Sequence, residues 1–165
     1  LYRGTSDTAG EIGHVRIAEE GPDCYGKSGS LEGYCSGTGI ARLAEMLFPR
    51  RWEGVPGLYN AWKSGDPDAA AVFAQAARAF GRALALIVDL LNPQRIILGG
   101  LGMRIADALV DPALATLRAE ALPAALAVCE VVPASLGESI GDYASLCAAI
   151  DQGAATSLIN LSSDT

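Results

Sequence analysis

The segment from Gly10 to Glu32, GEIGHVRIAEEGPDCYGKSGSLE, is the most informative stretch of this sequence. It places Glu11 three residues before His14, the only histidine of the chain, and it ends in Glu32 at the start of an apolar helical pattern. Glycines between these residues favour tight turns. An ionised carboxylate accepts hydrogen bonds from neighbouring hydroxyl groups, and charge-assisted bonds are stronger than neutral ones. The segment therefore predicts a binding site for a small polyol such as a hexose.

Two other interpretations fit the same residues. Glutamates are mostly exposed in proteins, so Glu11 and Glu32 also fit a solvated surface. His14 also fits a position at a strand edge where its side chain is hydrogen-bonded within the protein. A zinc site would use His14 and Cys24, but structural zinc takes four ligands, usually Cys or His. The other candidates nearby are fair to poor zinc ligands: Asp23, Tyr25 and Ser30.

Composition and charge narrow the class of protein. The length of 165 residues suits one domain with its own core, and 50% apolar with 19% charged residues fits a globular protein. The formal net charge of −7 argues against non-specific nucleic-acid binding, which needs Lys and Arg to neutralise phosphates. The four cysteines are scattered, which predicts free thiols in a reducing cytoplasm.

No signal peptide or lipidation motif is visible. The apolar run Ala69–Leu91 carries charged side chains at helical spacing, which predicts a core helix and no membrane span. The chain opens at Leu1 without an initiator Met, which is typical of a piece that starts within a longer protein.

Apolar spacing and turn residues predict an alternation of strands and helices, and hence an α/β architecture. Asp66 and Pro67 form a helix start, because Asp caps a helix and proline at its first position loses no needed N–H. Asn92-Pro93 stops that helix. The predicted strands are His14–Ala18, Arg95–Leu98 and Val128–Pro133. The predicted helices are Leu31–Leu47, Leu58–Lys63, Asp68–Leu91, one from about Ile105, Pro112–Leu122 and Ile140–Gln152. The predicted irregular segments are the loop Gly21–Ser30 and a frayed tail, Gly153–Thr165.

Gly99 and Gly100 directly follow the predicted strand Arg95–Leu98 and precede a helical pattern. Strand, glycine turn and helix form the layout in which a backbone approaches a phosphate or a nucleoside. A glycine pair after a strand is more often plain packing, so this motif is weak by itself.

In their order, these residues resemble the ROK family of bacterial sugar kinases and their regulator relatives. The family signature runs roughly G-E-[I/L/W]-G-H, then C-x-C-G-x-x-G-C-x-E, then S-G. The matching residues here are Gly10-Glu11-Ile12-Gly13-His14, then Gly26, Gly29, Leu31 and Glu32, then Ser36-Gly37. Leu91-Asn92-Pro93 with Ile96-Ile97-Leu98-Gly99-Gly100 resembles the nucleotide-side segment, and Leu136-Gly137 with Ala148-Ala149 resembles the closing helix. The resemblance covers about residues 1–152.

The resemblance implies the actin-like, ribonuclease-H-like fold of two α/β lobes with the active site in the cleft. This chain would be the C-terminal lobe, incomplete as given. Glu11, His14 and Glu32, in the sugar-binding segment 10–37, fall on the family's sugar-hydroxyl ligands. Gly99 and Gly100, in the nucleotide-side segment 92–104, fall on the turn that lies against the adenosine of ATP. The implied ligands are a hexose or N-acylhexosamine, ATP and Mg²⁺, and the implied state is a cytoplasmic homo-oligomer.

The chain departs from the family at the zinc loop. The family's zinc cysteines fall at Asp23, Tyr25 and Ser30, so three of the four ligands are replaced, and Cys24 is one residue out of register. We therefore expect a zinc-free loop held by other packing, for which Tyr25 is a candidate. Ala144 and Cys147 stand where the closing helix usually has glycines, so we expect different packing there.

The motifs that carry the family's chemistry are absent from this chain. The phosphate-binding Asp-Gly-Gly-Thr and the catalytic Asn-Asp normally precede the G-E-x-G-H segment, and neither occurs here. That catalytic aspartate is the base that accepts the proton of the sugar hydroxyl. Asp7, Asp89 and Asp142 lack the neighbouring Asn and the upstream strand. We expect no catalytic residue in this chain and no phosphorylation of sugar by the chain alone.

Three functions follow as alternatives. The first is part of an ATP-dependent hexose or N-acylhexosamine kinase. The second is the sugar-sensing domain of a ROK-type repressor, which would bind nucleic acid only through an upstream helix-turn-helix. The third is a degenerate lobe used for oligomer contacts, and the connector Arg50–Gly65 carries Trp52 and Trp62, which fit either such an interface or local packing.

Overall fold

The computed structural model describes residues 2–139, 141–143, 145–147 and 149–150. The chain forms two compact units, of which the first ends at Val132 and the second begins at Pro133. The second unit contains the 3₁₀ turn Gly137–Ser139, and its residues 141–143, 145–147 and 149–150 are helical. The predicted final helix is thus confirmed within the described residues, whereas the predicted tail, residues 153–165, lies outside them.

The first unit holds most of the described helices and strands. Its helices are α1 (Leu31–Cys35), α2 (Gly37–Leu47), α3 (Gly54–Lys63), α4 (Pro67–Leu91), α5 (Leu101–Arg104), α6 (Ala106–Glu120) and α7 (Pro123–Leu126). Its strands are β1 (Asp23–Cys24), β2 (Lys27–Ser28) and β3 (Arg95–Leu98), and β4 (Glu130–Pro133) runs across the boundary. β1 pairs with β2 and β3 pairs with β4, each pair a small sheet.

The long helix α4 begins and ends where the sequence predicts. The Asp66 carboxylate accepts hydrogen bonds from the N–H groups of Asp68 and Ala69, at 2.9 and 3.2 Å, and Pro67 occupies the first turn. At the other end Asn92 adopts a left-handed conformation, with φ of 43°, and its N–H caps the carbonyl of Val88. Local signals alone therefore define both ends of this helix.

Helix α4 is the element against which most of the first unit packs. Helices α1, α2, α3, α6 and α7 all contact it, and the contact with α6 is the most extensive. Its buried face consists largely of small residues, so neighbouring backbones come close. The helix is long and apolar enough to cross a membrane, but 56% of its apolar window is buried inside the protein. Its apolar side chains are therefore explained by packing in the core of the protein.

Three predicted boundaries change in the structure. The predicted helix Leu31–Leu47 is interrupted at Ser36, whose backbone is extended and which ends α1 and caps α2. The predicted strand His14–Ala18 is wrong, because its partner segment turns directly into α1 and only a single antiparallel bridge, Arg16 to Ser30, can form. The connector between α2 and α4 contains more helix than expected, since α3 already begins at Gly54.

Two further differences lie in the later part of the chain. The two helices expected near Ile105 and from Pro112 form one helix, α6, which continues through the exposed Pro112. An internal proline costs a helix about 3 kcal/mol, and here the buried side chains of Leu109, Ala113 and Leu117 hold both halves of α6 within the core. The strand predicted as buried at Val128–Pro133 is shorter, Glu130–Pro133, and is only half-buried or exposed.

The two tryptophans take part in local packing. Trp62 stacks on Tyr59, with ring centroids 5.7 Å apart, and meets Phe73 edge to face at 6.1 Å. Trp52 meets Phe48 edge to face at 5.8 Å. Both are half-buried, and they pack against the core that includes α4. This packing supports the local interpretation of the connector and leaves the oligomeric state as a prediction.

The four cysteines are free, as the sequence predicts. Cys35 is half-buried at the contact between α1 and α4: its thiol donates a hydrogen bond to the Ala76 carbonyl across 3.5 Å, and burial of the thiol raises its pKa to about 12. A thiol with so high a pKa stays protonated at neutral pH and is a poor nucleophile. Cys35 is therefore part of the contact between α1 and α4 and has no reactive role.

The close approach of α4 and α6 at Gly81 makes a prediction about stability. A Cβ on Gly81 would lie 2.4 Å from the Ala113 carbonyl oxygen and 2.5 Å from the Thr116 Cβ. Alanine favours a helix over glycine by about 1 kcal/mol, but overpacking against a backbone costs about 1–3 kcal/mol. We expect Gly81→Ala to lower the free energy of unfolding, measured by urea titration followed by circular dichroism.

Gly57→Ala is the matched control, because it lies within α3 and its Cβ would meet only Glu53 and Trp52, at 3.8 and 3.9 Å. This variant should be neutral or stabilising by up to about 1 kcal/mol. Equal effects of the two substitutions would contradict the close contact between α4 and α6.

Candidate functional site

A short antiparallel pairing brings together the two ends of the sequence-predicted site. Arg16 bridges to Ser30, the Ile17 N–H donates to the Gly29 carbonyl at 2.8 Å, and the Leu31 N–H donates to the Val15 carbonyl at 2.9 Å. The residues before Val15 therefore lie against the start of α1, where a Cβ on Gly13 would stand 3.6 Å from the Glu32 Cβ.

The pairing needs a very close approach at Gly29. Its φ of +72° favours glycine, and a Cβ at this position would lie 2.1 Å from the Ala18 carbonyl oxygen. A side chain would force the two segments apart and with them the two halves of the site. The pairing therefore requires glycine at position 29, within the loop that the sequence predicts.

Glu11 precedes a single turn of 3₁₀ helix, Ile12–His14, and His14 ends it. This turn packs against α1, where Glu32 lies in the first helical turn. The Glu32 carboxylate reaches back over Gly13: its Oε2 is 3.7 Å from where a Cβ on Gly13 would stand. The structure thus brings the turn that carries His14 against the helix that carries Glu32, and we call Glu11, His14 and Glu32 the carboxylate–histidine patch.

The three side chains of this patch are available to a ligand. Glu11 and His14 are exposed and Glu32 is half-buried. Among the described residues, no hydrogen bond or ion pair engages any of their side-chain polar atoms. Most other acidic side chains near cations are paired, as Asp66 is with Arg51 at 2.7 Å. The patch therefore combines two free carboxylates with an imidazole, a set that can accept and donate hydrogen bonds to hydroxyl groups.

A hairpin takes the place of a metal loop after the 3₁₀ turn. β1 and β2 pair antiparallel, with Cys24 opposite Lys27, and the connecting Tyr25 and Gly26 both have positive φ, 51° and 71°. Two such residues form the type I′ turn, whose twist matches that of paired strands. The Gly26 N–H also donates to the Asp23 carboxylate at 3.2 Å. The turn is thus closed by the backbone and by one side chain.

Hydrogen bonds to the surrounding structure hold this hairpin in place. The Ser28 hydroxyl donates to the Gly21 carbonyl at 2.9 Å, and the Tyr34 hydroxyl donates to the Glu20 carbonyl at 2.8 Å. From α2, the Arg42 guanidinium donates to the Asp23 carbonyl at 2.5 Å. The Lys27 ammonium donates to the His14 carbonyl at 2.6 Å, which links the hairpin to the patch.

The residues at the resembled zinc positions do not fit a zinc site. Ser30 is buried and its hydroxyl caps α1 by accepting from the Gly33 N–H at 3.2 Å. Tyr25 is 82% exposed, so the expectation that Tyr25 packs the loop is wrong; Cys24 and Tyr34 are the buried side chains there. Within the described part of the chain, no group of three or more His, Cys, Asp or Glu side chains is placed to hold a metal ion.

Gly99 and Gly100 lie at the exposed turn between β3 and α5, in the predicted order of strand, glycine turn and helix. Gly100 has φ of +66°, and no atom lies within 4 Å of where its Cβ would be. The preceding strand is anchored by Ile96 and Leu98, which pack against a second group of buried residues around Leu84 and Leu117. The turn is open on its outer side, and its contact with a nucleotide stays a prediction.

A groove of about 320 Å³ lies elsewhere on the first unit, and it contains none of the three patch residues. Its walls combine apolar and charged side chains, including Ile17, Arg82 and Glu120. The Arg82 and Glu120 side chains face each other at 3.7 Å.

Comparisons with known proteins identify the family of this chain. The model of the ROK family matches residues 1–149. The glucokinase of Halalkalibacterium halodurans is 32% identical over 156 residues, covering 86% of this chain and 47% of the glucokinase. The DNA-binding transcriptional repressor Mlc of Escherichia coli is 32% identical over 133 residues, covering 75% of this chain and 32% of the repressor.

The structure of a ROK family glucokinase from Streptomyces griseus, in complex with glucose and AMPPNP, superimposes with a TM-score of 0.63 at 28% identity, over 84% of this chain and 50% of that chain. The fold is thus a partial α/β domain of the actin-like ATPase class. The chain belongs to the ROK family. It spans about half the length of the two glucokinases and about a third of the repressor.

Sequence reasoning identified the patch residues but missed the residue that connects them to the hairpin. A lysine in a polar loop is expected to be solvated. Nothing in the spacing of Lys27 in the sequence indicates its hydrogen bond to the His14 carbonyl. The capping role of Ser30 did carry a signal, because serine directly precedes the apolar pattern of α1. Ser30 also falls on one of the zinc-cysteine positions of the ROK signature, so it was considered there as a replaced zinc ligand and not as a helix cap.

The hydrogen-bonded hairpin makes a prediction about metal. We expect the purified chain to contain far less than one zinc per molecule by mass spectrometry, even after growth with added zinc. A chelator should leave its thermal unfolding midpoint unchanged, because no metal–ligand bond contributes to the fold. A stoichiometric zinc ion whose removal lowers the midpoint would contradict this account of the loop.

Proposed function

We propose that this chain forms the sugar-binding wall and the nucleotide-side turn of a ROK sugar kinase whose substrate is a hexose or an N-acylhexosamine. The observation that supports the proposal is the packing of the 3₁₀ turn against the start of α1, which brings the backbone that carries His14 close to Glu32. Among the described side chains, those of Glu11, His14 and Glu32 have no hydrogen-bond or ion-pair partner, so their polar atoms are free to bind a ligand.

Vicinal hydroxyl groups are the chemistry that this patch suits. Each carboxylate can accept two hydroxyl hydrogen bonds, while the imidazole can donate to or accept from a third hydroxyl. A site built to pair with hydroxyls discriminates against analogues that lack them, because its own polar groups would then stay unpaired. Specificity for one sugar would follow from which hydroxyls can reach all three side chains at once.

The nucleotide side of the proposal rests on the open turn at Gly99 and Gly100. A glycine turn without side chains lets a flat nucleoside lie against the backbone, and the Streptomyces griseus relative is in complex with AMPPNP, an analogue of ATP. Mg²⁺ would neutralise phosphate charge in such a reaction. The described residues include no group fit to hold a metal ion, so in this proposal the metal ion is bound through the phosphates and through residues outside this chain.

A repressor is the second candidate, and a specific observation favours it. Mlc is 32% identical to this chain, the same identity as the Halalkalibacterium halodurans glucokinase. A sugar-sensing domain would use the patch for binding alone, in a cytoplasmic protein with a helix-turn-helix upstream. The residues that precede Leu1 in the full-length protein discriminate: an Asn-Asp catalytic motif supports the kinase and a helix-turn-helix supports the repressor.

A purely structural lobe is the third candidate, and the patch argues against it. A lobe used only for oligomer contacts has no need of three polar side chains left without partners on one surface. Absence of sugar binding by the intact full-length protein would favour this candidate over the other two.

Glu32 gives the sharpest test of the sugar patch. We expect Glu32→Gln in the full-length protein to weaken binding of glucose or N-acetylmannosamine about tenfold, because hydrogen bonds to a charged group are worth about 1.5–3 kcal/mol and the amide keeps only part of that. Isothermal titration calorimetry measures the change. Glu19→Gln is the matched control, an exposed glutamate of the same loop outside the patch, and it should leave the affinity unchanged. Equal affinities of wild type and Glu32→Gln would remove Glu32 from the site.

The isolated chain should not phosphorylate sugar. Phosphoryl transfer needs a base or positioning residue for the nucleophile and a phosphate-binding loop, and neither motif is in this sequence. With ATP, Mg²⁺ and a panel of hexoses, we expect ADP release no faster than without enzyme. Robust turnover would show that the chain carries its own catalytic base.

A further inference from the structure

We propose that Lys27 is a positioning residue for His14, and that the hairpin β1–β2 serves as a metal-free clamp on the sugar patch. This inference rests on the proposed function for its effect on sugar binding. Its structural basis is the hydrogen bond of 2.6 Å from the Lys27 ammonium to the His14 carbonyl.

The His14 carbonyl needs such a donor. His14 is the last residue of the 3₁₀ turn, so no N–H of that turn can donate to its carbonyl. Carbonyls at the C-terminal end of a helical turn lack partners within it and carry partial negative charge. The ammonium of Lys27 supplies both a hydrogen bond and a positive charge at this point.

The position of Lys27 is fixed by the contacts of the hairpin that carries it. The type I′ turn closes the strand that carries it, the Ser28 hydroxyl ties the next residue to the Gly21 carbonyl, and Cys24 opposite Lys27 is buried. Lys27 itself is half-buried, so its stem is held against the protein. A side chain presented in this way restrains the turn from which the imidazole projects.

The hydrogen bond from Lys27 affects ligand binding because it holds the backbone of His14, from which the imidazole projects. No side-chain hydrogen bond fixes the His14 ring within the described structure, so its position depends on the backbone that carries it. A binding group held in place before the ligand arrives costs less ordering on binding. Loss of the Lys27 bond should therefore weaken the sugar site through His14, while the fold remains.

Arg42 provides a matched control for this test. Its guanidinium also donates to a carbonyl of the hairpin region, that of Asp23 at 2.5 Å, but it approaches from α2, and this carbonyl lies outside the 3₁₀ turn. Lys27→Met and Arg42→Met each remove one cationic hydrogen bond from the same hairpin. A merely structural role of Lys27 predicts equal effects of the two, whereas a positioning role predicts an effect on His14 from Lys27→Met alone.

The chain has a single histidine, which makes a direct readout possible. With ¹³C-labelled histidine in the 165-residue chain, the NMR spectrum shows the carbonyl and imidazole signals of this one residue. We expect Lys27→Met to shift the His14 carbonyl and to increase the mobility of its ring, Lys27→Arg to restore both toward wild type, and Arg42→Met to leave both unchanged. Unchanged signals in Lys27→Met, or equal changes in Arg42→Met, would overturn the proposal.

Sugar affinity of the full-length protein is the second readout. Lys27→Met should weaken glucose or N-acetylmannosamine binding about tenfold, and Arg42→Met less than about twofold. If wild type binds sugar and Lys27→Met binds equally well, the positioning role is wrong while the proposed function stands. If wild type binds no sugar, the proposed function fails, and the NMR comparison still decides whether Lys27 holds His14.

Discussion

The close packing of α4 against its neighbours is the constraint on which the rest of the first unit depends. Its buried face is built mainly from alanine, with Gly81 at the point where α6 crosses. Small side chains bring backbones together, and the dispersion contacts of many such atoms add up. The same face receives α1, whose Cys35 thiol bonds to the α4 backbone. A helix that the sequence predicts only as a core element thus fixes the position of α1, which carries Glu32.

From α1 the constraint passes to the patch through a small number of backbone hydrogen bonds. Ser30 caps α1 and also pairs with Arg16. The same residue therefore defines the start of the helix and the pairing of the segment that follows the 3₁₀ turn. The pairing covers few residues, and a short pairing is weak by itself. It is held because Gly29 permits close approach and because the hairpin and the core enclose it on either side.

The residues that could be predicted from sequence are those whose signals are local. Asp66, Pro67 and Asn92 define the ends of α4 through their own backbone and side-chain chemistry. The break at Ser36 and the continuity of α6 through Pro112 were not predictable, because tertiary packing overrides a propensity of a few kcal/mol at each site. The patch residues were found through a motif, but their meeting depends on a register between Arg16 and Ser30 that no spacing in the sequence defines. Lys27 was missed for the same reason, since its partner is a backbone carbonyl thirteen residues away.

A clamp made of hydrogen bonds differs in kind from one made of metal–ligand bonds. Zinc ligands must be deprotonated, so a zinc clamp depends on pH and on the supply of metal. The hairpin here is held by a lysine ammonium, a guanidinium and hydroxyl groups that donate to backbone carbonyls. In the proposed function, such a clamp would affect only how the sugar-binding residues are held, which both a kinase and a sugar-sensing repressor need. The same wall could then serve both kinds of ROK protein, and the difference between them would come from groups that contact the phosphate or the DNA.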